Sequence, residues 1–450
     1  MGFLVGGCVR DLLLGIEPKD FDVATDALPE QVKRLFRNCR LVGRRFRLAH
    51  VFFGREIIEV ATFRATTAPS QGDEPLPEAD PEDGEAPEID DAPLGSGASD
   101  SAVPGPLDRG PDDESNDAAR KFDASGRILR DNVYGTIDED VWRRDFTANA
   151  LYYNIADFSI WDYVNGAHDI ETRTLRLIGD PETRFREDPV RMLRAARFEA
   201  KLGFQLDAAT ARPLGPLRGL LAGVPPARLF DETLKLFLNG HGTRSFEVLR
   251  RRGLLAALLP SVDDYFSTHP GSLVEKLLLQ GLRNTDARVL ADKPVTPTFL
   301  FALLLYGPIA ALIEAAPPER WHELATILEA CDRATREAQT RIAIPKRFSL
   351  GVREMFALQP RLEHPRGRRA LRMLEHPRFR AAYDLLLLRA EFGLAPEGMA
   401  QWWTRLQEVS AEERGKMADA LAGGAPARAP GAQRRGGRRR RRRGSSAKPA

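Results

Sequence analysis

Only three cysteines, Cys8, Cys39 and Cys331, occur in 450 residues. Their wide spacing excludes a disulfide framework and a zinc site built on a Cys-x-x-Cys pair, and it suits a reducing, cytoplasmic setting. No apolar run reaches the roughly 20 residues that a membrane span needs. The longest, 299–313, is interrupted by Gly307-Pro308 and reads as buried helix, so no membrane association is expected. The opening Met1-Gly2-Phe3-Leu4-Val5 has no basic leader and no small-residue cleavage site, and is read as carrying no export signal. Neither Gly-x4-Gly-Lys-Ser/Thr nor Gly-x-Gly-x-x-Gly is present, which removes the two common nucleotide cradles. No fixed-period repeat of the solenoid kind is visible.

What is present in excess is charge, unevenly placed. The totals nearly cancel, 66 Lys+Arg against 64 Asp+Glu, but residues 70–117 hold 16 acidic residues and one basic one. Residues 423–450 hold ten basic and no acidic residues, and the remainder of the chain is net positive. Such asymmetry favours a polyanionic partner over a small neutral ligand. The length suggests about three domains at roughly 150 residues each, and 43% apolar residues suffice for a core in each.

Residues 3–64 alternate short strand-like and helix-like runs: a strand at 3–5, a Gly6-Gly7 turn, a helix at 9–14, a strand at 21–24 and a helix entered through Pro29 at 29–36. A hairpin at 49–53 and 57–63 follows, turning at Gly54. Residues 69–118 are Pro, Glu, Asp, Gly and Ser with almost no large apolar side chain, and are read as a disordered insertion because they cannot bury enough surface to offset ordering entropy. Strands of the same unit are expected at 158–164 and 174–178. From Pro181 the pattern is helical, with leucine-rich amphipathic runs at 190–202, 227–238, 245–259, 273–282, 321–330 and 369–388.

The sharpest chemical feature is Lys19-Asp20-Phe21-Asp22 at the start of a strand. The two-residue period puts Asp20 and Asp22 on one face, about 7 Å apart, with Phe21 directed to the core. Two carboxylates so placed can hold one or two Mg²⁺ ions. Alone, the pair also fits a solvated strand edge. Upstream, Gly6-Gly7-Cys8-Val9-Arg10-Asp11 is a strand, a tight turn and a helix start, which aims backbone N–H groups at an anion; Arg10 can add a bidentate phosphate contact. Together these describe a metal–triphosphate site. A third carboxylate to activate a hydroxyl has two candidates, Glu59 inside the apolar strand Ile57-Ile58-Glu59-Val60-Ala61 and Asp145 beside Arg143 and Arg144. Each also has a plain reading, an edge glutamate facing water and a structural ion pair.

In Arg186-Glu187-Asp188-Pro189-Val190-Arg191-Met192-Leu193-Arg194, Asp188, Arg191 and Arg194 share one helix face, where an acid and a base one turn apart can offer acceptor and donor edges to a nucleobase or simply bridge each other. Arg197 falls toward the apolar side. His168-Asp169 suggests a phosphohydrolase metal pair, but the later histidines show no matching partners and the reading is set aside. The arginine run 438–443 suits salt-sensitive attraction to phosphates.

Five ordered motifs, Leu4-Val5-Gly6-Gly7-Cys8-Val9-Arg10-Asp11, Lys19-Asp20-Phe21-Asp22-Val23-Ala24-Thr25, Glu59-Val60-Ala61-Thr62-Phe63-Arg64, Arg143-Arg144-Asp145-Phe146-Thr147 and Glu187-Asp188-Pro189-Val190-Arg191, resemble the class II nucleotidyltransferases, the family of bacterial poly(A) polymerases and CCA-adding enzymes. Within it the chain looks most like the poly(A) polymerase branch, through Gly126-Arg127-Ile128-Leu129-Arg130-Asp131-Asn132-Val133-Tyr134-Gly135-Thr136 and the late Leu374-Glu375-His376-Pro377-Arg378. The resemblance implies an α+β protein: a nucleotidyltransferase-fold head over 1–178 with the insertion at 69–118, a helical neck over 179–260 and a helical body over 261–422 that bind nucleotide and RNA, and a disordered basic tail over 423–450. It implies Asp20 and Asp22 as ligands of two Mg²⁺ ions, with Asp145 or Glu59 completing the catalytic set. Gly6, Gly7 and Arg10 would contact the triphosphate of ATP; Arg144, Asp188, Arg191, Arg194 and Arg197 would line the nucleotide, with Asp188 and Arg191 reading the base. The implied activity is template-independent AMP addition to RNA 3′ ends in the cytoplasm, with RNA, through the basic tail, and RNA-decay proteins as partners; CCA addition to tRNA and a catalytically idle RNA-binding protein are the alternatives. Family members usually carry residues before the first strand, so a strand beginning at Phe3 is read either as a start placed too late or as a trimmed head.

Overall fold

In the computed structural model, residues 1–43, 47–54, 56–65, 121–122, 128–130 and 133–422 are described. The insertion and the basic tail expected from composition lie outside these residues. The head comprises β1 (Gly2–Val5), α1 (Gly7–Leu13), β2 (Asp22–Thr25), α2 (Pro29–Leu35), β3 (Cys39–Val42), β4 (Leu48–Phe53), β5 (Glu56–Thr62), β6 (Lys121–Phe122), β7 (Ile128–Arg130), α3 (Ile137–Arg143), β8 (Leu151–Asn154), β9 (Ile160–Asp162), α4 (Gly166–Glu171) and β10 (Thr174–Leu175). Seven strands form one mixed sheet in the order β3-β4-β5-β2-β1-β8-β9, in which β2 and β5 run parallel and the other neighbours antiparallel. A separate hairpin joins β6 and β7.

Three head expectations change. Cys39-Arg40-Leu41-Val42 is a strand, pairing with β4 as the sheet edge. The segment expected as a strand at 174–178 is only β10, and it pairs not with the main sheet but, in parallel, with β11 (Gln205–Leu206). Phe21 does not enter the core; it is 41% exposed, because the ordered strand begins one residue later and only Ala24 and Thr25 of β2 are fully covered.

The two faces of the sheet are covered differently along its length. On one face, Cys39, Ala49 and Val51 close with Val60 over Val32 of α2. On the other, Phe3, Val5, Ala24 and Tyr152 pack with Phe63, Ile178 and Val141 of α3, an aromatic cluster in which the Phe3 and Tyr152 rings meet edge to face at 6.1 Å. Capping fixes α3: the Thr136 side chain accepts from the Glu139 N–H, and the Glu139 carboxylate accepts from the Thr136 N–H at 2.9 Å.

Beyond the head the chain is helical: α5 (Pro181–Glu187), α6 (Val190–Leu202), α7 (Ala208–Ala211), α8 (Leu214–Leu217), α9 (Pro226–Phe237), α10 (Gly242–Arg251), α11 (Leu255–Leu258), α12 (Pro260–Thr268), α13 (Leu273–Leu290), α14 (Pro297–Leu304), α15 (Tyr306–Glu314), α16 (Leu324–Gln339), α17 (Lys346–Glu363), α18 (Arg369–Met373), α19 (Phe379–Glu391), α20 (Glu397–Glu408) and α21 (Ala411–Ala422). Gly253, at φ +68°, ends the helix expected at 245–259 after α10, since a left-handed residue stops the α hydrogen-bond pattern. Pro377 likewise separates α18 from α19. The apolar run 299–313 becomes α14 and α15, bent by 47°. The break falls at Leu305 and Pro308 sits in the first turn of α15, where its missing N–H costs nothing. Among the described residues no single helix is long and apolar enough to cross a membrane. Leu300 to Leu305 are buried in a core that runs continuously from Cys8 and Phe146 at the base of the head to Leu388.

Candidate active site

The strand register assembles the site. One row of cross-strand partners runs over all seven strands: Arg40 faces His50, His50 faces Glu59, Glu59 faces Asp22, Asp22 faces Val5, Val5 faces Tyr152 and Tyr152 faces Trp161. Asp22 and Glu59 thus project side by side on the face whose other half is the aromatic cluster. Asp20, exposed just before β2, joins them. Burial raises the Asp22 pKa above its usual value; repulsion from Glu59 and Asp20 adds to the shift, and attraction to Arg144 partly opposes it. The Nε2 of His50 lies 3.3 Å from the Glu59 carboxylate.

The turn between β1 and α1 lies beside this row. Gly6 sits at φ +79°, a conformation that favours glycine. A Cβ on Gly6 would lie 3.7 Å from Nη1 of Arg144, so that guanidinium edge is aimed at the turn. The other edge is fixed: Arg144 Nη2 donates to Asp140 at 3.0 Å and Nε to the Tyr152 hydroxyl at 2.7 Å, while that hydroxyl donates to Asp140 at 2.7 Å. Burial pulls the Arg144 pKa down, but Tyr152 and Asp140 more than offset this, so it holds its proton more tightly than a free arginine. The result is a permanent cation between the Gly6 turn and Asp22.

Arg10 is placed differently from a phosphate contact open to solvent. It is 1% exposed, its Nε donates to Asp11 at 2.8 Å, and its Nη1 donates to Asn149. Asn149 in turn donates to Asp145 at 3.3 Å. Asp145 accepts from Arg194 Nε at 2.8 Å and from the Phe146 N–H at 2.8 Å. Burial works against ionising Asp145, yet the Arg194 charge and these hydrogen bonds bring its pKa down to about 2. The chain Asp11–Arg10–Asn149–Asp145–Arg194 therefore ties α1 to α6. Asp145 thus lies apart from the strand row, which holds Asp22 and Glu59, and from Asp20 just before it.

The acid–base face expected on one helix is not formed: Asp188 is the extended residue that ends α5, ahead of α6, which carries Arg191 and Arg194, and all three side chains are engaged elsewhere. Asp188 accepts from both Nη1 and Nη2 of Arg228 on α9, at 2.8 and 2.6 Å. Arg191 Nη1 donates to Glu187 at 2.9 Å and to the Arg184 carbonyl at 2.8 Å. Arg197 lies over the Phe198 ring at 4.5 Å and 3.4 Å from Glu232, so its apolar-side placement is met by a stacked ring and a buried carboxylate. His168-Asp169 makes no metal pair: Asp169 accepts from Thr147 Oγ1 at 2.7 Å and pairs with Arg176.

Sequence reasoning missed His50, Asp140, Asn149, Tyr152 and Arg228. The strand register would have exposed His50, since it faces Glu59, whereas Tyr152 faces Val5 and Trp161 and enters the site through its bond to Arg144. Arg228 lies 40 residues from its partner and leaves no local signal.

The mixed sheet, the glycine turn and the paired strand carboxylates define a nucleotidyltransferase head. A family model described as "Poly A polymerase head domain" matches residues 2–176, one described as "Probable RNA and SrmB- binding site of polymerase A" matches 203–266, and "Polymerase A arginine-rich C-terminus" matches 319–444. Relatives include poly(A) polymerase I of Salmonella typhi, 42% identical over 93% of this chain and 82% of that protein, and of Escherichia coli O157:H7, 44% identical over 90% of this chain and 78% of that one. The chain belongs to the bacterial poly(A) polymerase I family. A CCA-adding enzyme of Bacillus velezensis is 32% identical over only 58% of the chain. Among solved structures, a tRNA nucleotidyltransferase complexed with a primer tRNA and an incoming ATP analogue shares the fold at TM-score 0.53 and 20% identity, covering 90% of this chain and 95% of that one.

Proposed function

We propose that the protein is a template-independent polynucleotide adenylyltransferase that transfers AMP from ATP to the 3′ ends of RNA. The single observation that carries the reading is the Asp22–Glu59 register pair beside a fixed arginine and a glycine turn, in a chain whose family relatives match nine-tenths of its length. Among the described residues no group of three or more His, Cys, Asp or Glu is placed to hold a metal ion by itself. Mg²⁺ is held by one or two carboxylates together with substrate phosphates and water. The oxygen-only donors Asp20 and Asp22, and the raised proton affinity of Asp22 that a cation would relieve, fit the ion. Bound there, Mg²⁺ would acidify the attacking hydroxyl and offset charge on the phosphates.

The chain's own residues supply the rest. The Gly6 N–H is bonded to the Leu151 carbonyl at 3.3 Å, so the turn offers the triphosphate the N–H of Gly7 at the start of α1. Arg144, held by Asp140 and Tyr152, keeps a guanidinium edge where charge develops on the departing phosphates. The RNA 3′-oxygen bonds to the α-phosphorus as the bond to the bridging oxygen breaks, and pyrophosphate leaves. Glu59, at the far side of Asp22 from the turn, takes the hydroxyl proton. Asp145 acts by position, fixing Arg194 on α6. Arg10 acts the same way, locking α1 beneath the turn. Asp188, Arg191, Arg194 and Arg197 form the nucleotide side of the neck, and base reading by Asp188 requires exchange of Arg228 for the base edge. The head occupies 1–178, the neck 179–260, the body 261–422 and a tail that binds RNA backbone 423–450. RNA-decay proteins are its expected partners and the cytoplasm its expected location.

Three variants test the assignment by AMP incorporation into an RNA primer. Asp22→Asn should cost at least about a hundredfold, the scale on which loss of one transition-state-stabilising group acts. Glu59→Gln should lower kcat with little change in KM for ATP, whereas Asp145→Asn should raise KM for ATP and lower stability. Full activity in Asp22→Asn would overturn the site.

A further inference from the structure

The outer half of the sheet, beyond Glu59, has no role in the mechanism above, and its two faces are unequal. One is closed by α2. On the other, the face shared with Asp22 and Glu59, Arg40 and Ile57 are exposed, Ile57 by 46%, and His50 and Phe52 are half-buried. No described helix covers this half as α3 covers the inner half. Phe52 is the cross-strand partner of Ile57, one pleat beyond the pair His50 and Glu59. The Arg40 guanidinium lies 5.8 Å from the centre of the Phe52 ring.

Direction of attack adds a second, independent constraint. Phosphoryl displacement keeps the attacking and leaving oxygens roughly in line, on opposite sides of the phosphorus. The groups placed to hold the leaving pyrophosphate, the Gly6-Gly7 turn and Arg144, lie on the β1 and β8 side of Asp22. The attacking 3′-oxygen must then arrive from the β5 side, across β4 and β3.

We infer that the last nucleotides of the RNA primer lie on this outer half-face, with a base against Phe52 and Ile57 and a backbone phosphate on Arg40. The inference rests on the adenylyltransferase reading and names where its second substrate sits. A single strand suits the surface in three ways. An aromatic ring beside an aliphatic side chain takes any base by its π-face, a neighbouring guanidinium takes the phosphate, and the sheet face leads without a step to Glu59. His50 stands at the join, next to Glu59, where the terminal ribose would pass.

The test uses the full chain and the variants Phe52→Ala, Phe52→Tyr and Arg40→Gln. Binding of a fluorescently labelled single-stranded oligoadenylate is measured at salt high enough to suppress attraction from the basic tail, and KM values for primer and for ATP are measured separately. Phe52→Ala should raise both the RNA Kd and the primer KM about tenfold, within the range found for base–aromatic stacking. KM for ATP should stay unchanged, and Phe52→Tyr should restore primer binding. Arg40→Gln should weaken binding and reduce the slope of log affinity against log salt by about 0.7, the share of one neutralised phosphate on a single strand. Unchanged RNA Kd and primer KM in both Phe52→Ala and Arg40→Gln would overturn the inference, leaving this face ordinary surface or a protein-docking site. Because Kd is read without turnover, failure of the unmutated chain to transfer AMP would count against the adenylyltransferase reading and leave the surface judged by binding.

Discussion

Asp22 carries a cost that the proposed role as a metal ligand explains. Burial and the nearby carboxylates favour its protonated form in the folded protein, so ionising it at neutral pH weakens the fold. Asp22→Asn is therefore expected to raise the thermal midpoint of the metal-free protein while abolishing AMP transfer; a lower midpoint would show that the carboxylate is structural. Arg144 depends on its two anchors in an unequal way. Tyr152→Phe removes one neutral acceptor and should lower kcat several-fold, whereas Asp140→Asn leaves a buried guanidinium short of its counter-charge and should cost more, a ranking that steady-state kinetics would check. Much of this scale was legible from residues alone. Asp20, Asp22, Glu59 and the Gly6-Gly7 turn were visible as motifs because strand period and turn chemistry are local. Tyr152 and Asp140 were not, since their roles come from a triangle of hydrogen bonds closed by tertiary packing.

At the scale of elements, the register of β2 against β5 separates the two candidate third carboxylates in space. It sets Glu59 beside Asp22, while the Asp11–Arg10–Asn149–Asp145–Arg194 chain draws Asp145 toward α6. No single-strand reading can give a cross-strand register, which is why both candidates stood equal in the sequence. The start of α10 carries a second consequence. His241 is 8% exposed there, and its pKa is pulled down to about 4, chiefly by burial and then by Arg197 and Lys201, against the opposing Asn239 carbonyl and Asp286. A depressed folded pKa means that the unfolded chain takes up the proton first. The contribution is full above pH 6.5, the ordinary value, and is lost as pH falls toward about 4. Stability should decline across that window in the native chain, and His241→Gln should flatten the decline; identical pH profiles would contradict the assignment. The helices themselves were largely legible by period, α6 and α9 almost to the residue. The breaks at Gly253 and at Leu305 depend on backbone geometry that the apolar pattern does not carry.

Over the whole molecule, one core runs from Cys8 of α1 through α6 to Leu388, which packs the helix beneath the Gly6 turn and the arginines of α6 into one unit. Charge is what the molecule distributes unevenly, with ten basic residues after 422 and sixteen acidic ones between 70 and 117. If the tail binds RNA backbone, a chain ending at residue 422 should bind single-stranded RNA more weakly and with a shallower salt dependence, the slope falling by about 0.7 for each phosphate that the tail neutralises. An unchanged slope would assign the tail to solubility alone. Removing the acidic segment should tighten RNA binding at low salt if it competes for the basic surfaces, and unchanged affinity would dismiss that competition.

The most direct test of the account supplies the purified protein with Mg²⁺, a labelled unstructured RNA primer and one of ATP, CTP, GTP or UTP at a time, beside a tRNA lacking its CCA end. The account predicts a long ladder on the plain primer with ATP, and none in the Asp22→Asn variant. Addition confined to the tRNA, requiring CTP and stopping after a few nucleotides, would contradict it.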